Sequence, residues 1–535
     1  MAQDEIVKES LSAETHSESE IELLLQTLAK AKLSKSRKIV EEIEAVGGKP
    51  MLVLFETMLE GKLYYIKDSL RVISYKKNSQ GEKEGADILT GESYGMLAKK
   101  QVKKIRVNNQ LRKLLKNAIA RNKLRYGSDE EKITAANKLL EKVDEQNVTA
   151  LRNALEGEKN KKVANAINIA LALSNLKTSD DREVRLAALS LLGGNLESTV
   201  RNEITYLAGT DADGEFNEPD RVIRKAAQKE LKLIEGKINF YGFVENLFFG
   251  LSAGSVLLLA AIGLAITFGV MGVINMAHGE MIMLGAYTTY VIQLIMPNLI
   301  EYSIIVAIPA AFIVSGLVGM LIEYLVIRRL HGRPLETLLA TFGISLILMQ
   351  TVRTIFSPLN VPVSTPEWMS GLWEINPILA LTYNRVYILI FSLIVFFALM
   401  FILNRTSLGL RVRAVSQNRA MAKSLGVKTE WVDSMTFGLG SGIAGVAGVA
   451  LSQITNVGPN LGQAYIIDSF MVVVFGGVGN ILGTLFGGFS LGIANKFLEP
   501  ATGAVLAKIL VLVFIILFIQ RKPKGLFPQK GRAAE

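Results

Sequence analysis

Three polar side chains, Asn275, His278 and Glu280, stand close together in Gly269-Val-Met-Gly-Val-Ile-Asn-Met-Ala-His-Gly-Glu-Met-Ile-Met-Leu-Gly-Ala-Tyr287, a stretch that is otherwise apolar. A membrane-anchored enzyme would need a nucleophile, paired acids or metal-ligand spacing beside them, and the sequence supplies none of these. What the setting does permit is hydrogen bonding at membrane depth, where polar groups are costly. Two readings follow. Either the short break lines a solute pathway or gate, or these residues cap helix ends and satisfy backbone groups near the interface. Thr341, Ser345 and Gln350 are further polar groups at membrane depth and join them as pathway or gate candidates. Glu323 and Asp468 are more expensive to place: Glu323 lies within about two helical turns of Arg328 and Arg329 and can pair with them, and Asp468 reads as a rim or helix-start residue. A small neutral solute needs only a narrow, weakly binding, hydrogen-bonding path, which this set can offer.

Nucleotide chemistry is not written in the chain. Gly440-Ser-Gly-Ile-Ala-Gly445 has the spacing of a dinucleotide fingerprint, with Asp468 downstream, but it sits inside an apolar span with no strand before it. Gly438 with Gly442, and Ser441 with Gly445, have instead the small-xxx-small spacing of close helix packing, as do Gly479, Gly483, Gly487, Gly488 and Gly492. No G-x-x-x-x-G-K-[ST] loop exists, so no cofactor is expected and any ATP is hydrolysed by partner subunits. Asp211-Ala-Asp-Gly214 lacks the remaining ligand positions of a calcium loop and reads as a solvated turn.

The elements that position these groups follow from the charge distribution along 535 residues. Up to Phe240 there are 41 Lys/Arg and 37 Asp/Glu; beyond it only 18 and 12. The sequence therefore predicts a soluble domain over 1–240 and a membrane domain over 241–535. The net charge of +10 is shared between them without a basic, aromatic-studded stripe, which argues against a nucleic-acid partner. With no cysteine, disulfides and thiolate chemistry are excluded; the histidines are His16, His278 and His331.

Between Ile21 and Lys237 short amphipathic helices dominate, for example 132–143, 163–173 and 181–192. Asp181-Arg-Glu-Val-Arg-Leu-Ala-Ala-Leu189 and Pro219-Asp-Arg-Val-Ile-Arg-Lys-Ala-Ala227 echo each other like a degenerate HEAT-type repeat. Leu63-Tyr-Tyr-Ile-Lys and Arg71-Val-Ile-Ser-Tyr have strand composition and predict a small β element.

Apolar spans fall near 247–271, 277–296, 302–327, 335–356, 385–404, 434–455, 463–478, 480–498 and 504–520, the pair 463–498 being readable also as one broken or re-entrant segment. The fold class is thus an all-α polytopic protein of eight or nine transmembrane helices, with a mostly helical, HEAT-like extension containing some strand. Three segments hold 14 of the 18 basic residues beyond Phe240: Arg328–Arg333, Arg405–Lys428 and Arg521–Arg532. Cytoplasmic segments attract such residues, so the C-terminus is expected inside, and nine spans would put the N-terminal domain in the periplasm. That domain would need an export signal, which Met1–Lys38 lacks; Met1-Ala-Gln-Asp4 could be the stub of a cleavage site in a truncated or misassigned start. An even span count would make the domain cytoplasmic.

Thr406–Val427 is basic, with a helix-like middle and a glycine stop, and can dock a partner; its charge alone also fits an ordinary inside loop. From Phe243 to Gly531 the chain resembles the branched-chain amino acid permease family of ABC importers. The resemblance is carried by Phe268–Glu280, Gly332-Arg-Pro-Leu335, Thr341-Phe-Gly-Ile-Ser345, Leu408-Gly-Leu-Arg-Val-Arg-Ala414 and Lys524-Gly-Leu-Phe527. The long helical extension, with Phe470–Asn480, Gly492–Pro500 and Gly503–Lys508, looks like the B-type permease of the urea importers within that family. The resemblance implies a multi-pass protein of the bacterial inner membrane with a second permease of the same family, two ATP-binding cassette ATPases, a periplasmic solute-binding protein and urea as substrate. It also places ATPase docking on 406–427, with Arg413, Gln417, Asn418 and Gly426 as contact candidates. Gln417-Asn418 stands where many importers carry a carboxylate. Branched-chain amino acids or short amides are the nearest alternative solutes, and a free-standing channel or secondary transporter is the alternative class.

Overall fold

Amphipathic periodicity in the first part of the chain and long apolar runs in the second both favour helix, the latter because lipid offers the backbone no hydrogen-bond partners. The computed structural model describes residues 20–528 apart from 34, 49, 78–82, 99 and 141–143; Met1–Asp4, His16, Lys530 and Arg532 lie outside the described residues. The chain forms two units, Met1–Lys237 and Ile238–Glu535.

In the first unit, helices α1 (20–30), α2 (Ser36–Val46) and α3 (Pro50–Leu59) precede a sheet of β1 (Leu63–Ile66), β2 (Val72–Lys77), β3 (Lys83–Asp87), β4 (Ser93–Met96) and β5 (Val102–Lys104). The strands are antiparallel in the order β4-β3-β2-β1-β5, so the stretches with strand composition are the central pair β1 and β2. Alternation sends Leu63 and Val72 into a core with Leu28, Ile43, Leu54, Phe55 and Leu115, and leaves Ile73, Tyr75 and Val102 in a second cluster.

Helices α4 (Asn109–Tyr126), α5 (Asp129–Leu139), α6 (Glu145–Glu156), α7 (Lys161–Thr178), α8 (Arg182–Leu192) and α9 (Ser198–Ala208) follow. Asn108, Ser128, Asp144, Asn160 and Asp181 cap the first five, each accepting from a backbone N–H of the opening turn. The two echoing segments are tied at their starts: Arg182 Nε donates to Asp220 (2.5 Å) and Arg185 Nη2 to Glu218 (2.5 Å). In the loop before α10, Asp211 Oδ1 accepts from the N–H groups of Asp213 and Glu215, as a polar turn does.

A single helix, α10 (Arg221–Met271), carries the chain into the second unit. Then come α11 (His278–Ile295), α12 (Ile300–Leu325), α13 (Pro334–Phe356), a short hairpin of β6 (Leu372–Glu374) and β7 (Ala380–Thr382), α14 (Tyr383–Arg405), α15 (Ser407–Gln417), α16 (Arg419–Ser424), α17 (Thr429–Ser452), α18 (Leu461–Gly476), α19 (Ile481–Thr502) and α20 (Ala504–Arg521). Seven of these, all but α11, α15, α16 and α18, are long and apolar enough to cross a membrane. Helix α18, at 16 residues, reaches only about 24 Å. It ends at Gly477, whose φ of +106° separates it from α19, so 463–498 holds two helices joined at a glycine turn.

The apolar windows of α10 and α17 are 89% and 83% buried, against 17–33% for the other five, so these two are the axis of the bundle. Hydrophobic burial does not hold them there, since lipid tails are as apolar as leucine. Backbone contact through glycine does. Gly285 of α11 abuts the backbone of Gly445, Gly448 abuts Ile282, and Gly440 abuts Gly263. The glycines of the dinucleotide-like spacing are therefore helix-packing residues.

Candidate functional site

Helix α10 stops at Gly272, whose φ is +67°, and residues 272–277 form a non-helical break before α11. Asn275, His278, Glu280, Thr341 and Ser345 are each no more than 4% exposed, so the polar side chains at the break are buried in protein, while Gly272 at its start is exposed. Asn275 Oδ1 accepts from Ala277 N (3.0 Å) and closes the turn. Met276 N donates across to Thr341 Oγ1 (3.2 Å), which itself donates to Leu338 O (3.0 Å). One helical turn along α13, Ser345 Oγ donates to Glu280 Oε1 (2.9 Å). Thr341 and Ser345, four residues apart on one face of α13, thus hold both the break and the first turn of α11.

His278 looks the other way. Its Nε2 lies 2.9 Å from Ala260 O, so it donates to α10 one turn before Gly263, where a Cβ would press on the ring. Glu280 Oε2 and His278 Nδ1 are buried without a hydrogen-bond partner among the described residues. Gln350 does not join the group: it is exposed, half a turn round α13 from Thr341. The arrangement can hold a bent backbone and keeps two polar atoms in reserve, and the described residues hold no cluster of His, Cys, Asp and Glu able to bind a metal.

At the basic segment, α14 ends at Arg405 and the chain folds back as α15 and α16. Thr406 Oγ1 caps α15 by accepting from Gly409 N (3.2 Å), and Asn418 Oδ1 caps α16 by accepting from Met421 N (2.9 Å). Arg413 donates to the Leu403 carbonyl, and Arg419 pairs with Asp433 of α17. Gly426 ends α16 with φ +82° and returns its N–H to Lys423 O (3.1 Å). Arg413, Asn418 and Gly426 therefore shape the segment, whereas Gln417 is exposed beside Met421 (58% exposed) and Leu425 (78%).

The sequence profile described as "Branched-chain amino acid transport system / permease component" matches residues 246–519. The chain belongs to this permease family. Similar proteins include the high-affinity branched-chain amino acid transport system permease proteins BraD of Pseudomonas aeruginosa (28% identical) and LivH of Escherichia coli K12 (29%), each alignment covering 54% of this chain and 96% of the relative. The ribose import permease protein RbsC of Escherichia coli K12 is 27% identical over 52% of this chain and 85% of its own length. No solved structure matches. The chain is thus a multi-pass membrane permease component and not an enzyme, and the family match lies within the second unit.

Sequence reading of the permease missed three features. Glu323 does pair with Arg328 (3.0 Å), but both also bond Ser434 of α17, a serine with no signal of its own in the sequence. The tail block Lys524–Phe527 is not a loose basic end: Leu526 N and Phe527 N donate to Phe475 O (2.9 Å) and Gly476 O (3.0 Å), closing the end of α18. Asp468 does not start a helix: it lies midway along α18, its side chain 13% exposed, and Lys508 of α20 reaches it (3.4 Å).

Proposed function

We propose that the permease is one of two pore-forming subunits of an ATP-driven importer of the bacterial inner membrane whose solute is urea. The observation that carries this reading is the break at 272–277 with its buried polar side chains, a hydrogen-bonded interruption without ion pairs among the described residues, set against α10 and α17. Resemblance of Phe470–Asn480, Gly492–Pro500 and Gly503–Lys508 to the urea-importer branch favours urea. The absence of a P-loop makes the energy source a partner, and the α15–α16 segment, with its apolar tip at Met421 and Leu425, suits docking in an ATPase cleft. A second permease, two ATPases and a periplasmic binding protein complete the proposed assembly, with the HEAT-like first unit as a periplasmic interaction module.

Branched-chain amino acids are the second reading, favoured by the names of BraD and LivH. Uptake of labelled urea and labelled leucine by a strain deleted for this chain separates the two. Loss of high-affinity urea uptake is expected. Intact urea uptake with collapsed leucine uptake would reverse the assignment.

A further inference from the structure

Away from the break, a cavity of about 320 Å³ opens among α10, α14, α18, α19 and α20. It lies toward the ends of α14 and α20 opposite the basic segments: Arg385 is in the first turn of the helix that finishes at Arg405, and Lys508 in the second turn of the helix that finishes at Arg521. Its volume is at the small end of the roughly 300–1,000 Å³ usual for small-molecule sites. Two ion pairs border it, Asp468 with Lys508 (3.4 Å) and Lys496 with Glu499 (2.7 Å). Arg385 is left over. Its guanidinium has no ion pair or side-chain hydrogen bond among the described residues and sits 5.0 Å from the centre of the Phe249 ring. Ser252 is fully buried and its Oγ has no hydrogen-bond partner among the described residues; Asn495 Oδ1 is likewise unpartnered among them. Buried polar atoms are almost always bonded, so two unpartnered oxygens, with a half-buried guanidinium lining the same space, ask for a ligand.

We propose that this cavity is a transit site for small solutes that carry a carbonyl or carboxylate oxygen next to N–H donors. The oxygen accepts from Arg385, and the N–H groups donate to Asn495 Oδ1 and Ser252 Oγ. Urea and short amides bring the carbonyl; α-amino acids bring the carboxylate and ammonium, with Val256, Leu257 and Ile454 as an apolar wall for an alkyl group. The proposal rests on the reading of the chain as an importer permease.

The chain has no cysteine, so Ala253→Cys places its sole thiol on the cavity wall and Thr455→Cys a second, separate one. Both variants, with their partner subunits in native membrane vesicles, are labelled by a small charged thiol reagent with urea, acetamide, leucine or methylammonium present. Labelling slows about tenfold when a bound solute is at ten times its dissociation constant. Slowing by urea and acetamide identifies the carbonyl class, slowing by leucine the carboxylate class, and either supports the site provided that methylammonium does nothing and Arg385→Gln abolishes the protection. No slowing at either thiol, equal slowing by methylammonium, or full protection with Arg385→Gln overturns it. Uptake is scored separately: a deletion that spares uptake of both solutes counts against the importer reading, whereas absent protection alongside intact wild-type uptake counts against the cavity.

Discussion

At the scale of single residues, the polar groups that a membrane bundle tolerates are those with a partner on another helix. Among the described residues Ser345 is the one hydrogen-bond partner of the Glu280 carboxyl, so Ser345→Ala leaves a buried acid with none there. We expect it to cost about 1–3 kcal/mol in denaturant unfolding of the reconstituted protein, with Ser345→Thr restoring most of the loss. Arg328 offers a contrast with its neighbour. It neutralises Glu323, whose side chain is 1% exposed, whereas Arg333 pairs with Glu336 in the open, at 67% and 55% exposure. Arg328→Met strands a buried carboxylate and is expected to cost about 3 kcal/mol, the low end for breaking a buried pair because the arginine is partly exposed. Arg333→Met should cost less than about 1 kcal/mol in the same assay.

Helices are positioned by what their glycines allow. Gly285 lies against the backbone of Gly445, which cannot rotate away as a side chain could, so Gly285→Leu must separate α11 from α17. Destabilisation beyond the about 1–3 kcal/mol of ordinary overpacking is expected, read as loss of monodisperse protein on size-exclusion chromatography. Gly343→Leu on α13, where an added Cβ meets nothing within 4 Å, should leave the elution unchanged. At Gly426 the constraint is conformation rather than space: φ is +82° and nothing crowds the site. Proline, fixed near φ of about −65°, cannot adopt that turn. Gly426→Pro is expected to abolish transport and ATPase co-purification while membrane insertion persists, with Gly426→Ala intermediate because an L-residue there costs about 1–2 kcal/mol.

At the scale of the whole molecule, the placing of basic residues makes a prediction about the side on which the first unit lies. Positive charge on Arg328–Arg333, Arg405–Lys428 and Arg521–Lys524 favours a cytoplasmic C-terminus, and an odd number of crossings then sends residues before α10 outside. Protease added to spheroplasts should therefore cut within the polar loop 209–217 without permeabilisation. Cleavage only after lysis would place that unit in the cytoplasm and require an even crossing number.

Features governed by local chemistry were legible in the sequence alone: the charged and apolar parts of the chain, the strands at Leu63 and Val72, the helix start at Asp181, the break around Asn275, and the family resemblance of the second unit. Capping, β-branching and hydropathy act over a few residues, so they can be read in order along the chain. The tertiary structure alone decided which faces meet. In lipid the outer and inner faces of a helix are both apolar, so hydropathy carries little information about rotation, and Thr341 with Ser345 could not be told from Gln350 until α13 was set against α11. For the same reason Ser434 and the cavity at Arg385 left no mark in the sequence, and Lys524–Phe527 was legible as a family block but not as the cover of the end of α18: each is made by residues from distant segments whose depth and rotation only packing fixes.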